Sequence, residues 1–414
     1  MVESIETVII GSGQGGLSTS YFLKQHGSEH VILEKASQPA DSWRSQRWDS
    51  FTFVSPNWAF QLPGGEYDGP DPDGFMSRDE LVSRFERYVE KHQIPIAFNA
   101  CVTSVQPLDG KGFLVQTQGK DYLARNVVTA NGWFQVGKRP DYAARLPASI
   151  LQLHSSRYRN PQQLPPGAVL VVGSGQSGAQ IAEELHHSGR KVFLSTGAAP
   201  HAPRRYRGKD IFVWIYDSGF AERTFEQMQL FGRGFVAPIL SGKDGGHDLN
   251  LHKLSLDGVI LLGHAKDYVD GKLIIAPDLK DNLGKSDGAQ KFILKFFDDY
   301  IQRSGVDAPP EELPVRMDGY QAPVITTLDI KAEGISTVIW ACGYKYSSAI
   351  FRMPVVDQFD IPDAPLGISQ AYPGLYFAGF PFLPTLKSGF LAGVAKSTAY
   401  VADKISGREN TLQS

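Results

Sequence analysis

The chain has 414 residues with 42 Gly, 26 Pro and 2 Cys, and its 41 Lys and Arg against 44 Asp and Glu leave a net charge of -3. At about 150 residues per domain this length predicts two domains with an ample core, and 42% hydrophobic against 21% charged residues excludes disorder and a small secreted scaffold. The balanced charge gives no footprint for nucleic acid or anionic lipid, and Cys101 and Cys342, with no CxxC or CxxxxC, exclude a disulfide framework, a zinc cluster and the paired-cysteine chemistry of disulfide reductases.

The first ten residues carry Glu3 and Glu6 where a signal peptide carries Lys or Arg. No long apolar window is free of charges and helix breakers, so the reading is a soluble, cytoplasmic protein with no membrane partner. Residues 7–10 (TVII) read as a buried parallel strand, 17–26 as a helix capped by Gly27, and 31–33 as a second strand ended by Glu34. Residues 77–92 form a helix with Ser77 and Glu80 as a capping box. Strand-like runs at 100–105, 113–116 and 126–129 suggest a small sheet inserted into the first domain.

After a linker at 161–166 (PQQLPP) the grammar repeats: strand 168–172, glycine turn 173–178, helix 179–187, Gly189 as cap and strand 191–194. Residues 200–246 show no period and stay unplaced; 286–303 read as a helix and 309–314 as a boundary. The fold class is therefore α/β, with two Rossmann-type dinucleotide-binding domains and a small inserted β-sheet. Residues 1–160 and 325–414 are expected to form one domain and 161–324 the other.

Both turns carry G-x-G-x-x-G spacing: Gly11, Gly13 and Gly16 in GSGQGG, where Gln14 and Gly15 fill the turn, and Gly173, Gly175 and Gly178 in GSGQSG, where Gln176 and Ser177 do. The first glycine turns the chain off the strand, the second lets backbone approach a pyrophosphate, and the third lets helix pack on strand with its N-terminus towards the anion. One such match is weak evidence; two, each between a strand and a helix, make dinucleotide binding secure. Glu34, 18 residues after Gly16, is placed for a ribose with free hydroxyls, as in FAD. The second unit's strand ends in Ser195 and Thr196 without an acid, and Arg204, Arg205 and Arg207 follow. That pattern favours the 2′-phosphate of NADPH, with NADH as the second option.

Two such units, the first starting within ten residues of the N-terminus, resemble the class B flavoprotein monooxygenases: flavin-containing monooxygenases, plant-type indole-pyruvate monooxygenases and Baeyer–Villiger enzymes. Lys35 matches the family's basic residue after the acid, and Trp43 survives from its Gly-Gly-x-Trp segment, which here reads Ala40-Asp41-Ser42-Trp43. His154 and Tyr158 align with the hinge signature, whose Phe and Gly are replaced by Ala148 and Ile150. The stretches VVTANG (127–132), VIWACGYKY (338–346) and PGLYFAGF (373–380) are similar to the family's strand exits and its flavin-side strand, with a helix expected over 388–393.

The resemblance implies FAD and NADPH as cofactors, and O2 with a small organic substrate oxygenated at nitrogen, sulfur or an α-keto acid through a flavin C4a-(hydro)peroxide. It adds Val102, Gly379, Lys387 and Ser388 to the cofactor set and Asn57 as the active-site donor, with His154 either near the nicotinamide or structural. No metal site is expected, and a homodimer is the default assembly. The alternatives are an NAD(P)H oxidase or reductase without oxygen transfer, and a non-catalytic dinucleotide-binding redox sensor.

Overall fold

The computed structural model describes residues 2–109, 112–228 and 237–408. Two parallel sheets organise the chain. In the first, Ile96–Ala97, His30–Leu33, Val2–Ile10 and Asp121–Thr129 run side by side, and Leu375–Phe377 returns from the far end of the chain to pair parallel with residues 127–129. The expected insertion is present: Val102–Pro107 and Phe113–Thr117 extend this sheet as antiparallel strands through Asp121–Thr129. Val8, Val127, Phe377 and Phe380 pack on one face, and Ile9, Leu17, Val128 and Val401 on the other. The two faces read as continuous apolar runs because both sides of the sheet are covered.

The second sheet has the order Leu151–His154, Ile335–Trp340, Ala168–Val172, Val192–Ser195, Ile260–Leu262. Strand Ile335–Trp340 lies in its middle and Leu151–His154 at its edge, so this unit reaches beyond the expected limits of 161 and 324 on both sides. The reason is the crossover rule. A parallel neighbour for Ala168–Val172 has to come from a distant stretch of chain, and the fully apolar Val338–Ile339 supplies it.

Three other expectations move. The last long helix starts earlier, as Leu279–Ser304, because Leu279, Asn282 and Leu283 are buried against the second core, which outweighs Gly284 and Gly288. The helix expected over 388–393 is instead a single 3-10 turn, Leu386–Gly389, followed by the helix Val394–Ile405. Residues 200–246 hold short pieces: a hairpin pairing 205–206 with 209–210, helix Ile211–Asp217, a turn Phe220–Glu222, and a hairpin pairing 240–241 with 247–248. None of these is long enough to show a period, and residues 229–236 of this stretch lie outside the described residues.

Candidate functional site

Both glycine turns leave the carboxyl ends of central strands, where open α/β sheets bind ligands. In the first, Gly11 has φ +99°, and a Cβ there would lie 2.8 Å from the Ala130 carbonyl oxygen. A Cβ on Gly16 would strike the Gly11 carbonyl at 2.0 Å, and one on Gly15 the Ala378 carbonyl at 2.7 Å. Gly13 differs: its Cβ would meet nothing within 4 Å. The protein itself demands glycine at the other three positions; at Gly13 the empty side is where a pyrophosphate fits. Helix Gln14–Gln25 starts there with no side-chain cap, so its first N–H groups are free for the anion.

Glu34, buried, fixes this turn. Its Oε2 accepts the Ser12 N–H at 2.8 Å and the Ser12 hydroxyl at 2.7 Å, and its Oε1 accepts the Ala36 N–H at 2.9 Å. Gln14 donates to the Gly389 carbonyl at 2.5 Å, and Gly379 (φ +75°) would bring a Cβ 2.9 Å from Gly15 Cα. Residues 378–389 therefore lie across the turn like a lid. Lys35 is exposed beyond it, and Val102 is half-buried in its strand.

The second turn repeats the backbone. A Cβ on Gly173 (φ +106°) would lie 2.5 Å from the Ala341 carbonyl oxygen and one on Gly178 1.8 Å from that of Gly173, while one on Gly175 again meets nothing within 4 Å. Helix Gln176–His187 also lacks a side-chain cap. Gln176 clasps Leu240, accepting its N–H at 3.1 Å and donating to its carbonyl. Ser177 is half-exposed.

The strand registers correct the sequence reading here. Ile10 pairs with Leu33 and Val172 with Ser195, so the counterpart of Glu34 is Thr196, not Ser195. Ser195 is buried, its hydroxyl donating to Gly263 O at 3.0 Å and accepting from Ala265 N–H at 3.0 Å. Thr196 donates to the Leu262 carbonyl at 2.8 Å. Neither carries a charge.

Arg204 is a second correction. It is 2% exposed, its Nε donating to Asp210 at 2.8 Å and its Nη1 to the Val54 carbonyl at 2.7 Å, with the guanidinium 4.1 Å from the Phe75 ring centre. That ion pair is complete, so Arg204 has no charge to offer a 2′-phosphate. Arg207 pairs with Asp298 at 2.9 Å, and Arg205 is exposed on the hairpin. Arg204 and Arg207 are thus engaged within the protein, and Arg205 alone of the three has its side chain exposed.

Asn57 is the third correction. Its Nδ2 donates to the Asp71 carbonyl at 2.9 Å and its Oδ1 accepts the Met76 N–H at 2.7 Å, at 4% exposure. The amide is committed to tying its own loop and offers no donor to a reacting group. Ser388 is equally committed, accepting the Thr385 N–H at 3.2 Å as part of a capping box. Lys387 pairs with Glu222, and burial lowers its pKa.

His154 is structural. It is 5% exposed, its Nδ1 faces the Ser156 hydroxyl at 3.0 Å, its Nε2 faces the Gly343 carbonyl at 3.3 Å, and its ring packs edge-on to Tyr344. Burial lowers its pKa, keeping the ring neutral while it joins the two chain crossings.

Ser12 and Ser174 were missed by the sequence reading. Ser174 accepts the Gly197 N–H at 3.0 Å, whereas Ser12 donates to Glu34, and the shared GSGQ in both turns was the available signal. Trp43, expected against the flavin, is half-buried and touches Phe51 and Phe53 at 6.0 and 6.2 Å between ring centres. Burial pushes the Cys342 thiol up to about 11, which leaves it protonated at neutral pH. Among the described residues no group of three or more His, Cys, Asp or Glu is arranged to hold a metal, and no helix is long and apolar enough to cross a membrane.

Residues 8–216 match the family described as pyridine nucleotide-disulphide oxidoreductase. A curated relative, an uncharacterized oxidoreductase CzcO-like protein of Geobacillus kaustophilus, is 31% identical over 407 residues, covering 98% of this chain and 99% of its own. A solved structure, a flavin-containing monooxygenase from Stenotrophomonas maltophilia, superposes with a TM-score of 0.67 at 20% identity, covering 98% of this chain and 99% of that one. The OTEMO complex with FAD and NADP superposes with a TM-score of 0.57 at 15% identity over 97% and 85%. These two likenesses are of fold.

Proposed function

The chain belongs to the pyridine nucleotide-disulphide oxidoreductase family, and from that premise we propose that it is an FAD- and NADPH-dependent monooxygenase acting on a small organic molecule. The observation that carries this reading is the pair of glycine turns with open space at Gly13 and Gly175, only the first followed by a carboxylate. Glu34 suits the free ribose hydroxyls of FAD. Uncharged Thr196 leaves room for a 2′-phosphate without repelling it. No basic side chain recruits that phosphate at Arg204, so NADH remains a usable donor.

When bound, FAD supplies the redox chemistry, accepting hydride from the nicotinamide and, once reduced, reacting with O2. The chain's own part is to hold and enclose. The lid of residues 378–389 excludes water from the first turn, and the helix starting at Val394 directs its N-terminus towards it. The disulfide route of the family name lacks its parts, since the sequence has only two cysteines and Cys342 stays a thiol.

Asn57 favours a second reading, an NAD(P)H oxidase without oxygen transfer, because the expected donor is committed elsewhere. The two readings separate on stoichiometry. Purified protein is loaded with FAD and given NADPH and O2, with tertiary amines, thioethers and α-keto acids offered as acceptors. Less than one H2O2 per NADPH, with oxygenated product making up the balance, supports the monooxygenase. One H2O2 per NADPH whatever the acceptor supports the oxidase. Protein that takes up no flavin sinks both.

A further inference from the structure

Among the described residues, five buried side-chain atoms outside the arginines make no hydrogen bond: Thr129 Oγ1, Asn131 Oδ1, Tyr158 Oη, Gln180 Oε1 and Tyr346 Oη. Tyr158 and Gln180 belong to helix Gln176–His187 and its surroundings. The other three gather at the first sheet. Thr129 ends strand Asp121–Thr129, and its carbonyl accepts the Ala378 N–H at 2.9 Å, so only its hydroxyl is left over. In register it lies between Ile10 and Phe377, and strand alternation turns its side chain to the face that carries Val127, Phe377 and Phe380. Tyr346 packs into the same apolar cluster, stacked on Trp133 at 6.1 Å between ring centres and edge-on to Phe380 at 5.6 Å. Thr129 is 0% exposed and Tyr346 5%. A buried hydroxyl without a partner carries its full desolvation cost.

Their place in the fold says what they face. Asn131 follows Thr129 by two residues, and its Cα lies 3.1 Å from where a Cβ on Gly11 would stand. Phe380 follows Gly379, whose Cβ would stand 2.9 Å from Gly15 Cα. Tyr346 therefore sits between the two chain exits that flank the first glycine turn, and Trp133, 6.5 Å from Phe380, closes the aromatic trio. Strand His30–Leu33, which leads to Glu34, lies on the opposite side of Val2–Ile10. A dinucleotide with its adenosine ribose at Glu34 and its diphosphate at Gly13 carries its other half towards Thr129, Asn131 and Tyr346. In FAD the piece next to the diphosphate is the ribityl chain, a row of hydroxyls that both donate and accept. Burial raises the Tyr346 pKa, so the phenol keeps its proton and can donate; Asn131 is near enough to oppose that shift yet outside hydrogen-bond geometry. The Thr129 hydroxyl donates or accepts, and the Asn131 carbonyl oxygen accepts.

We propose that Thr129, Asn131 and Tyr346 hold the ribityl chain of FAD, with the Tyr346 hydroxyl as its donor on the side away from Glu34. The assignment rests on the reading of the first turn as the flavin site. Trp133 and Phe380 fix the Tyr346 ring on its face and its edge, so the hydroxyl is in place before the cofactor arrives. A donor that is unpaired in the flavin-free protein becomes paired on binding. The flavin ring is then oriented from the diphosphate at Gly13 through a chain gripped along its length.

The test compares FAD with ADP, which shares the adenosine diphosphate and lacks the ribityl chain. Dissociation constants are measured by calorimetry on the flavin-free full chain, for wild type, Tyr346→Phe and Thr129→Val. Tyr346→Phe should weaken FAD about 3–10-fold, the loss of one hydrogen bond, and leave ADP unchanged; Thr129→Val should act in the same direction. The melting temperature of flavin-free Tyr346→Phe should equal or exceed that of wild type, because the variant removes a buried hydroxyl with no partner there. Unchanged FAD affinity in Tyr346→Phe overturns the proposal, as does an equal loss for FAD and ADP, which would place the effect at the turn itself. A lower melting temperature of flavin-free Tyr346→Phe overturns it too, since the hydroxyl would then be bonded within the protein. Wild type that takes up no FAD overturns the function reading along with it.

Discussion

The two glycine turns share a backbone and differ in what surrounds it. Both leave a strand whose last four residues are buried, both have an open second glycine, and both use the glutamine after it as a clasp. At the first turn Gly15 is buried because residues 378–379 press on it; at the second Ser177 occupies the same place, half-exposed. The first turn has a carboxylate bound to Ser12, while the second has a threonine bound to a sheet carbonyl. A covered turn suits a cofactor that stays bound, and an uncovered one suits a cofactor that leaves each cycle. Retention of colour through gel filtration, with exchange of labelled NADP+, would show that difference directly.

The largest expected effects come from filling the open glycines. At Gly13 the backbone is extended, φ -77° and ψ -173°, and Gly175 is similar, so valine fits both without strain in the empty protein. Gly13→Val should fold yet stay colourless. Gly175→Val should be yellow and fail to bleach with NADPH under nitrogen. Visible spectra decide it, and the reverse pattern would exchange the two assignments.

Next is Arg204→Ala, which leaves Asp210 buried without its cation. Such a break costs about 3–5 kcal/mol, read as a fall in urea midpoint. The ratio of kcat/KM for NADPH to that for NADH should not move, because the pair is internal. A selective loss of NADPH use would restore the arginine to the 2′-phosphate.

Gly15→Ala should cost about 1–3 kcal/mol, since the methyl group would meet backbone at Ala378 and Gly379. Ser177→Ala at the matching place should stay within about 0.5 kcal/mol. Equal effects would mean that the lid of residues 378–389 does not press on the first turn.

How far the sequence foretold this depends on the range of the interaction. The turns, Glu34 and the capping box at Ser77 were legible because each depends on neighbours a few residues away; Ser77 does accept the Glu80 N–H. The second unit's limits were not, because strand Ile335–Trp340 joins its sheet from more than 160 residues beyond Ala168–Val172. Arg204 read as a 2′-phosphate contact because the sequence does not show Asp210 and Val54 closing around it. Asn57 failed for the same reason: its amide answers to Asp71 and Met76.

The smallest expected effect separates the two units by pH. In the second, two buried histidines share one half-buried carboxylate: His201 and His252 face the two oxygens of Asp287 at 3.1 and 3.2 Å, and Tyr320 donates to it at 2.8 Å. Each histidine accepts a backbone N–H on its other nitrogen, from Leu251 and from Gly319. Burial works to raise the Asp287 pKa, yet the bonds from His201, Tyr320 and His252 outweigh it and hold the carboxyl at about 2. A pKa depressed in the folded state contributes stability above the unfolded value of 3.8, lost as pH falls through the folded one. Burial also lowers the His201 pKa below 6.5, so protonation opposes folding there as well. Both shifts point the same way. From about pH 6 downward the second unit should weaken first, and amide exchange should rise in helix Leu251–Asp257 before the strands of the first sheet. In Asp287→Asn the carboxylate's own contribution disappears, while His201 loses the acceptor that raises its pKa, so the onset near pH 6 should persist; protein that exchanges evenly in both units at pH 4 would show that the network confers no special acid sensitivity.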